Sequence, residues 1–292
     1  MKLFKIALAL LVLGTPALLK AQSPIGGFMQ GKGKGNVVLS YNSESYSDVY
    51  LVPEKVEGVP VFNKVTTNSF SLFTTVGITD KLDVQLNVPY IKTTGEASDQ
   101  VLTNLNYQNE RKGLQDVSVY LKYNPINKKI GKGTLAFIGS IGLQAPIGDY
   151  RVDEGLQSII ALGNRATQLN TFILAQYKLE NGVFFNGNMG YSLRSNDVPS
   201  AFISELKGGY AGKKFYADIY ATSVLAGEGT DILKEGFDGV FPKTKVNSNK
   251  IGLNLYVPIK SGFGLAAGAS SYVAGRNLGA SSGGYGALIY SF

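Results

Sequence analysis

The chain has 292 residues, 28 basic and 21 acidic, a formal charge of +7, and neither cysteine nor histidine. The missing cysteine rules out disulfides and a lipid anchor on a mature N-terminal cysteine, and the missing histidine rules out Ser-His-Asp and Cys-His catalysis and nearly all zinc sites. No run of Lys and Arg is dense enough for a nucleic-acid patch, so no nucleic-acid partner is expected.

Met1–Lys5 is short and basic, Ile6–Leu13 is apolar, Gly14-Thr15-Pro16 breaks the run, and Ala17–Ala21 leads to a cut before Gln22. This is the pattern of a secretory signal peptide, too short to span a bilayer. Residues 1–21 are therefore expected to be removed and residues 22–292 to form a single domain. Losing Lys2, Lys5 and Lys20 leaves the mature chain only mildly basic. After Ala21 no apolar stretch approaches the roughly 18 residues of a membrane helix. Gly31–Gly35 alternates glycine with lysine, lacks the spacing of a phosphate loop, and reads as a lead-in to the first strand.

From there period-two alternation recurs, the mark of strands with two different faces. The first predicted strand runs from Gly35 to Glu44, extendable to Leu51. The second, Ser69–Thr79, carries Phe70, Leu72, Thr74, Val76 and Ile78 on one face. After the turn Thr79-Asp80-Lys81, the third sets Leu82, Val84, Leu86, Val88 and Tyr90 against Asp83, Gln85 and Asn87. A polar loop over Thr94–Lys112 precedes the fourth, where Val117, Val119, Leu121 and Tyr123 alternate with Asp116, Ser118, Tyr120 and Lys122; Asn124–Lys132 reads as a turn. The fifth spans Thr134–Ile147. The loop Gly148–Asn164 contains Ile159–Leu162, fit for a short helix or for lying against a barrel mouth. The sixth and seventh, Thr167–Leu179 and Phe185–Arg194, flank Glu180-Asn181-Gly182. The eighth and ninth, Ala201–Tyr210 and Phe215–Val224, are followed by the long loop Gly227–Asn247. The tenth sets Ile251, Leu253, Leu255, Val257 and Ile259 against Gly252, Asn254 and Tyr256. Lys260-Ser261-Gly262 then turns into Phe263–Val273, and Tyr285–Phe292 ends the chain.

Short turns follow the even-numbered strands and long loops mostly follow the odd-numbered ones. A soluble sandwich has no reason to sort its loops this way, whereas a transmembrane antiparallel up-and-down β-barrel does. The expected fold is all-β, about 12 strands, with Leu82, Val84, Leu86, Val119, Leu121, Leu253 and Leu255 toward lipid. The candidate lumen-lining residues are Asp83, Gln85, Asp116, Tyr120, Lys122, Glu205, Lys207, Asp218, Asn254 and Tyr256. Asp153-Glu154, or Asp231 with Glu235, leave an all-carboxylate site open, but nothing places them as a pair and they read as solvated loop charge or calcium attraction at the surface. No catalytic residue, cofactor or metal site is expected.

The final strand, with Leu288, Tyr290 and a terminal Phe292, resembles the assembly signal of bacterial outer-membrane barrels. It implies a location in the bacterial cell outer membrane, with the lipid bilayer and the barrel-assembly machinery as partners. Gly113–Tyr123, with Gly113, Asp116 and Leu121-Lys122-Tyr123, resembles a strand of the porin-like family named for the meta-pathway of phenol degradation. Pro146-Ile147-Gly148-Asp149 and Thr79–Val84 resemble its neighbouring segments, Ile147 standing where the family has a polar residue. The resemblance is good over Ser69–Asp149 and only rhythmic beyond. It implies an outer-membrane channel for passive uptake of small solutes, aromatic or amphiphilic ones among them. The related fatty-acid transporter barrels carry an N-terminal plug, and Gln22–Lys34 is too short for one, which argues against plug gating. The alternative is a structural or surface-interaction barrel that uses loops near Pro53, Asn104 and Phe237. An enzyme is the least favoured reading.

Overall fold

The computed structural model describes residues 26–292 except 52, 53, 233 and 236. The expected signal peptide lies outside the described residues. Twelve antiparallel strands form one closed barrel. They are β1 (Gly35–Tyr46), β2 (Lys64–Thr79), β3 (Leu82–Glu96), β4 (Val117–Ile130), β5 (Gly133–Ala145), β6 (Gln168–Leu179), β7 (Val183–Arg194), β8 (Ala201–Ala211), β9 (Tyr216–Ala226), β10 (Asn247–Pro258), β11 (Phe263–Arg276) and β12 (Ser282–Ser291). Each pairs with its sequence neighbours, and β12 closes on β1 from Asn36↔Ser291 to Ser45↔Ser282. Gly35 and Phe292 exchange backbone hydrogen bonds of 3.0 Å at the seam, so no edge remains.

The alternation sorts residues as barrel physics demands. The outward side chains of β8, β9 and β10 are bare, Leu206 at 71% exposure, Ile219 at 70% and Leu253 at 52%. An unbroken apolar belt of this kind is tolerable only against lipid. Aromatic residues rim it: Phe215, Phe263, Tyr290 and Phe292 at the short-turn end, and Tyr41, Phe70, Tyr90, Tyr191 and Phe202 toward the long loops. No helix among the described residues is long and apolar enough to cross a membrane.

Three boundaries differ from the sequence expectation. β4 continues through Asn124 and Pro125, which reads as a turn in the sequence. A register shift between Tyr123 and Ile126 absorbs the proline, and the two-residue turn falls at Gly131-Lys132. A bulge leaves the prolyl nitrogen outside the ladder, so the strand tolerates it. β2 begins earlier than its apolar run and β3 ends later, and Glu110–Leu114 adds a strand segment in line with β4. Those extensions are mostly polar, with Val65 and Ile91 as isolated apolar residues, and carry no sustained apolar alternation. The expected polar loop also contains a helix, α1 (Asp99–Leu105), whose Ser98 hydroxyl caps Val101 N–H at 3.4 Å. Beyond the rim, Asp48–Tyr50, Lys55–Glu57 and Leu278–Gly279 form a small separate sheet.

Candidate functional site in the lumen

The inward residues of the strands divide the lumen into two parts. At the short-turn end Phe184, Tyr216, Tyr256, Tyr285 and Ile289 are buried together around Phe28, which comes from the segment before β1. The Phe28 ring meets Phe184 edge-on at 5.3 Å and Tyr216 at 6.3 Å. A polar network lies against this cluster. Asn254 Nδ2 donates to Asp218 Oδ1 at 2.8 Å, Tyr285 Oη donates to Asn254 Oδ1 at 3.0 Å, and Tyr216 Oη donates to Asp218 Oδ2. Every polar atom named has a partner inside the wall, so the network is a satisfied core.

Gly26–Lys34 is folded back into the barrel. Gln30 N–H donates to the Asp83 carboxylate at 3.1 and 3.3 Å, and Lys122 Nζ donates to the Phe28 carbonyl at 3.0 Å. Asp83 and Lys122 are themselves 3.7 Å apart with both side chains fully buried. The expectation that this stretch is too short to plug the lumen is thereby corrected. A few residues suffice, because Phe184, Tyr216, Tyr256 and Tyr285 of the wall already crowd this level of the lumen. Length arguments apply to a plug that folds as its own domain.

Above this seal is a cavity of about 550 Å³. Its walls mix Val38, Phe73 and Ala269 with Ser40, Asn42, Ser71 and Thr222, and with the rings of Tyr120, Tyr220, Tyr272 and Tyr285. Two ion pairs face it. Lys250 Nζ lies 3.9 Å from Glu44 and 4.8 Å from the Tyr272 ring centroid. Lys207 Nζ lies 3.5 Å from Glu205 and 5.5 Å from the Tyr220 centroid, and Glu205 also accepts from Thr222 Oγ1 at 3.3 Å. The Tyr220 ring lies flat over Gly252, where a Cβ would fall 2.5 Å from the ring. The glycine lets the tyrosine hug the wall, so the ring lines the cavity without filling it.

At the long-loop end the chain folds inward over β3. Tyr150 Oη donates to Asp116 Oδ1, Gln144 Nε2 donates to Asp116 Oδ2 at 2.5 Å, and Gln115 Nε2 donates to the Leu162 carbonyl at 2.8 Å. Burial, together with the Asp116 carboxylate, raises the Tyr150 phenol above its ordinary pKa. Ile91, Tyr150, Val152 and Leu162 pack together, and Phe62, Val65 and Ile160 form a second knot. Ile159–Leu162 thus does both things expected of it: the 3-10 turn Gly155–Ile160 delivers Ile160 and Leu162 to the inside of the mouth. Across the mouth Asp231 accepts two hydrogen bonds of 2.6 Å from Arg276, one of 3.0 Å from Asn277, and a 3.0 Å ion pair from Lys234.

Nine of the ten candidate residues lie on inner-face positions of the strands and Asp116 just precedes β4, but they serve different places. Gln85, Tyr120 and Glu205 line the cavity, with Lys207 paired to Glu205. Asp83 and Lys122 hold the N-terminal segment. Asp218 and Asn254 belong to the sealed network and Tyr256 to the aromatic cluster, while Asp116 anchors the loop at the mouth. Glu44, Lys250 and Tyr272 also line the cavity, and the sequence reading passes over them. Their signal is the same period of two, hidden because β1, β10 and β11 are polar or small on both faces near the mouth.

No curated protein matches the chain by sequence. Among solved structures it is similar to an outer membrane channel from Pseudomonas putida F1, at 16% identity over 92% of this chain and 100% of that one, with a TM-score of 0.72. It is less similar to the translocator domain of the autotransporter NalP from Neisseria meningitidis, at 12% identity over 90% and 89% of the two chains, with a TM-score of 0.46. The first likeness shows the fold, that of an outer-membrane barrel. Residues 54–286, most of the chain, match the family described as the MetA-pathway of phenol degradation, and the protein belongs to that family.

Proposed function

We propose that this protein is an outer-membrane channel through which small solutes diffuse passively, amphiphilic aromatic ones among them. The observation that carries the reading is the cavity of about 550 Å³ inside the membrane-embedded barrel, walled by tyrosine rings and by two compensated ion pairs. Rings held flat against the wall offer apolar faces, and the paired charges and hydroxyls offer weak polar contacts. Many weak sites allow entry without trapping, which passive flux requires. The likeness to an outer membrane channel, over the whole of that chain, supports it. Short turns then lie on the periplasmic side, and the terminal strand with Phe292 is what the assembly machinery would recognise.

The test is flux of graded aromatic and non-aromatic solutes into liposomes, with conductance in planar bilayers. Glu205→Gln and Lys250→Gln are expected to move the cation–anion preference in opposite directions while the barrel stays folded. Absence of any conductance or solute flux would remove the reading.

A further inference from the structure

We infer that Gly26–Gln30 is a releasable plug latched by the Asp83–Lys122 pair, and that its withdrawal opens the periplasmic half of the lumen. The inference rests on the channel reading above.

The plug enters at Gly31–Lys34. There Gly33 N–H donates to the Gly77 carbonyl at 2.8 Å, and Lys32 N–H donates to Asp80 at 3.0 Å in the first periplasmic turn. It then crosses the lumen. On one side its backbone is gripped by Asp83 of β3 and Lys122 of β4. On the opposite side Gly27 touches Gln176 of β6, and Phe28 packs on Phe184 of β7 and Tyr216 of β9. Among the described residues Phe28 is the one member of the periplasmic cluster that does not come from the barrel wall.

Two features separate this segment from a permanent core. First, the latch keeps its own charge balance. Asp83 and Lys122 face each other across β3 and β4, so withdrawal strips away the main-chain hydrogen bonds that Gln30 and Phe28 make with them and leaves the two charges facing each other. Second, the interface is imperfectly satisfied. Among the described residues Gln30 Nε2 and Gln176 Nε2 are buried without a hydrogen-bond partner, and both would gain water on release. A wall residue removed from its ladder would instead lose backbone bonds on both sides. The segment makes no ladder, so the barrel survives its departure.

Two substitutions act on the plug from opposite directions. A Cβ on Gly77 would fall 2.0 Å from the Gly31 carbonyl oxygen, so Gly77→Ala pushes the segment out. A Cβ on Gly27 falls 2.9 Å from Gln176 Cβ, closer than the roughly 3.5–4.5 Å of a disulfide, so Gly27→Cys with Gln176→Cys should lock the segment in after it shifts by a fraction of an ångström, and the chain has no other cysteine. The experiment compares the full mature chain, a chain beginning at Gly31, Gly77→Ala and the double-cysteine chain. Each is refolded, checked for heat-modifiable migration, and measured in planar bilayers. The shortened chain and Gly77→Ala should conduct several-fold more than the full chain. The oxidised double-cysteine chain should conduct least and recover with dithiothreitol. If the folded shortened chain and Gly77→Ala conduct like the full chain and oxidation changes nothing, the plug is overturned and the channel stands. If no chain conducts, the shortened one included, the channel reading falls and the plug with it.

Discussion

The two halves of the lumen are built from the same strands by the same alternation, yet one is packed and the other hollow. At the short-turn end Phe184, Tyr216, Tyr256 and Tyr285 converge on Phe28, and the polar atoms of Asp218 and Asn254 are consumed by neighbours. Toward the mouth the inner face turns to Ser40, Asn42, Ser71, Thr222 and Ala269, and the large rings lie along the wall. The difference is one of side-chain volume at inward positions. A barrel of this circumference is filled when several aromatic side chains share one level and hollow when small residues dominate. Stability and passage are therefore assigned to different levels of one structure.

Substitutions should separate these levels, and the largest effect belongs to the packed end. Phe184→Ala is expected to cost about 3–5 kcal/mol in urea unfolding from vesicles, because its fully buried ring leaves a hole that the rigid wall cannot close. Tyr220→Ala, at the cavity wall, should cost only about 1 kcal/mol and instead alter solute flux. Equal costs at the two sites would mean that the halves are not mechanically distinct.

A smaller effect compares lipid and lumen at one height. Leu253 faces outward at mid-strand and Asn254 inward. Leu253→Arg should destabilise the bilayer-folded barrel by roughly 2–4 kcal/mol. Asn254→Arg should cost less, since the new guanidinium sits beside Asp218. The reverse order would show that the faces had been exchanged.

The smallest effect is at the mouth. Hydrogen bonds from Arg276, then Lys234 and Asn277, hold the Asp231 carboxyl well below the usual range. A depressed carboxylate stabilises in full above its unfolded value of about 3.9 and loses that contribution as pH falls through the folded one. The loop Gly227–Asn247 should therefore stay docked at pH 5 and loosen only in stronger acid. Asp231→Ala should weaken its docking by about 1–3 kcal/mol, read as faster protease cleavage there while the barrel remains intact.

The sequence alone determined the barrel, its strand count, its register relative to lipid, and the inward position of residues such as Asp83, Glu205 and Asn254. It could do so because a closed sheet between lipid and lumen imposes a strict two-residue period, and because short turns and long loops sort by side. Where both faces are polar, as in Thr93–Glu96 and Glu110–Leu114, the period vanishes and the strand ends were missed. Only the tertiary structure decided which inward residues meet. Lys122 and Asp83 become one pair through the β3–β4 register, while Asp218 and Glu205 take opposite roles because of what their neighbours fill. It also decided that Phe28 lies inside. Nothing in Gly26–Gln30 carries a periodic signal. Its place follows from a carboxylate and an ammonium that the closed barrel sets at one level, where they grip a passing backbone.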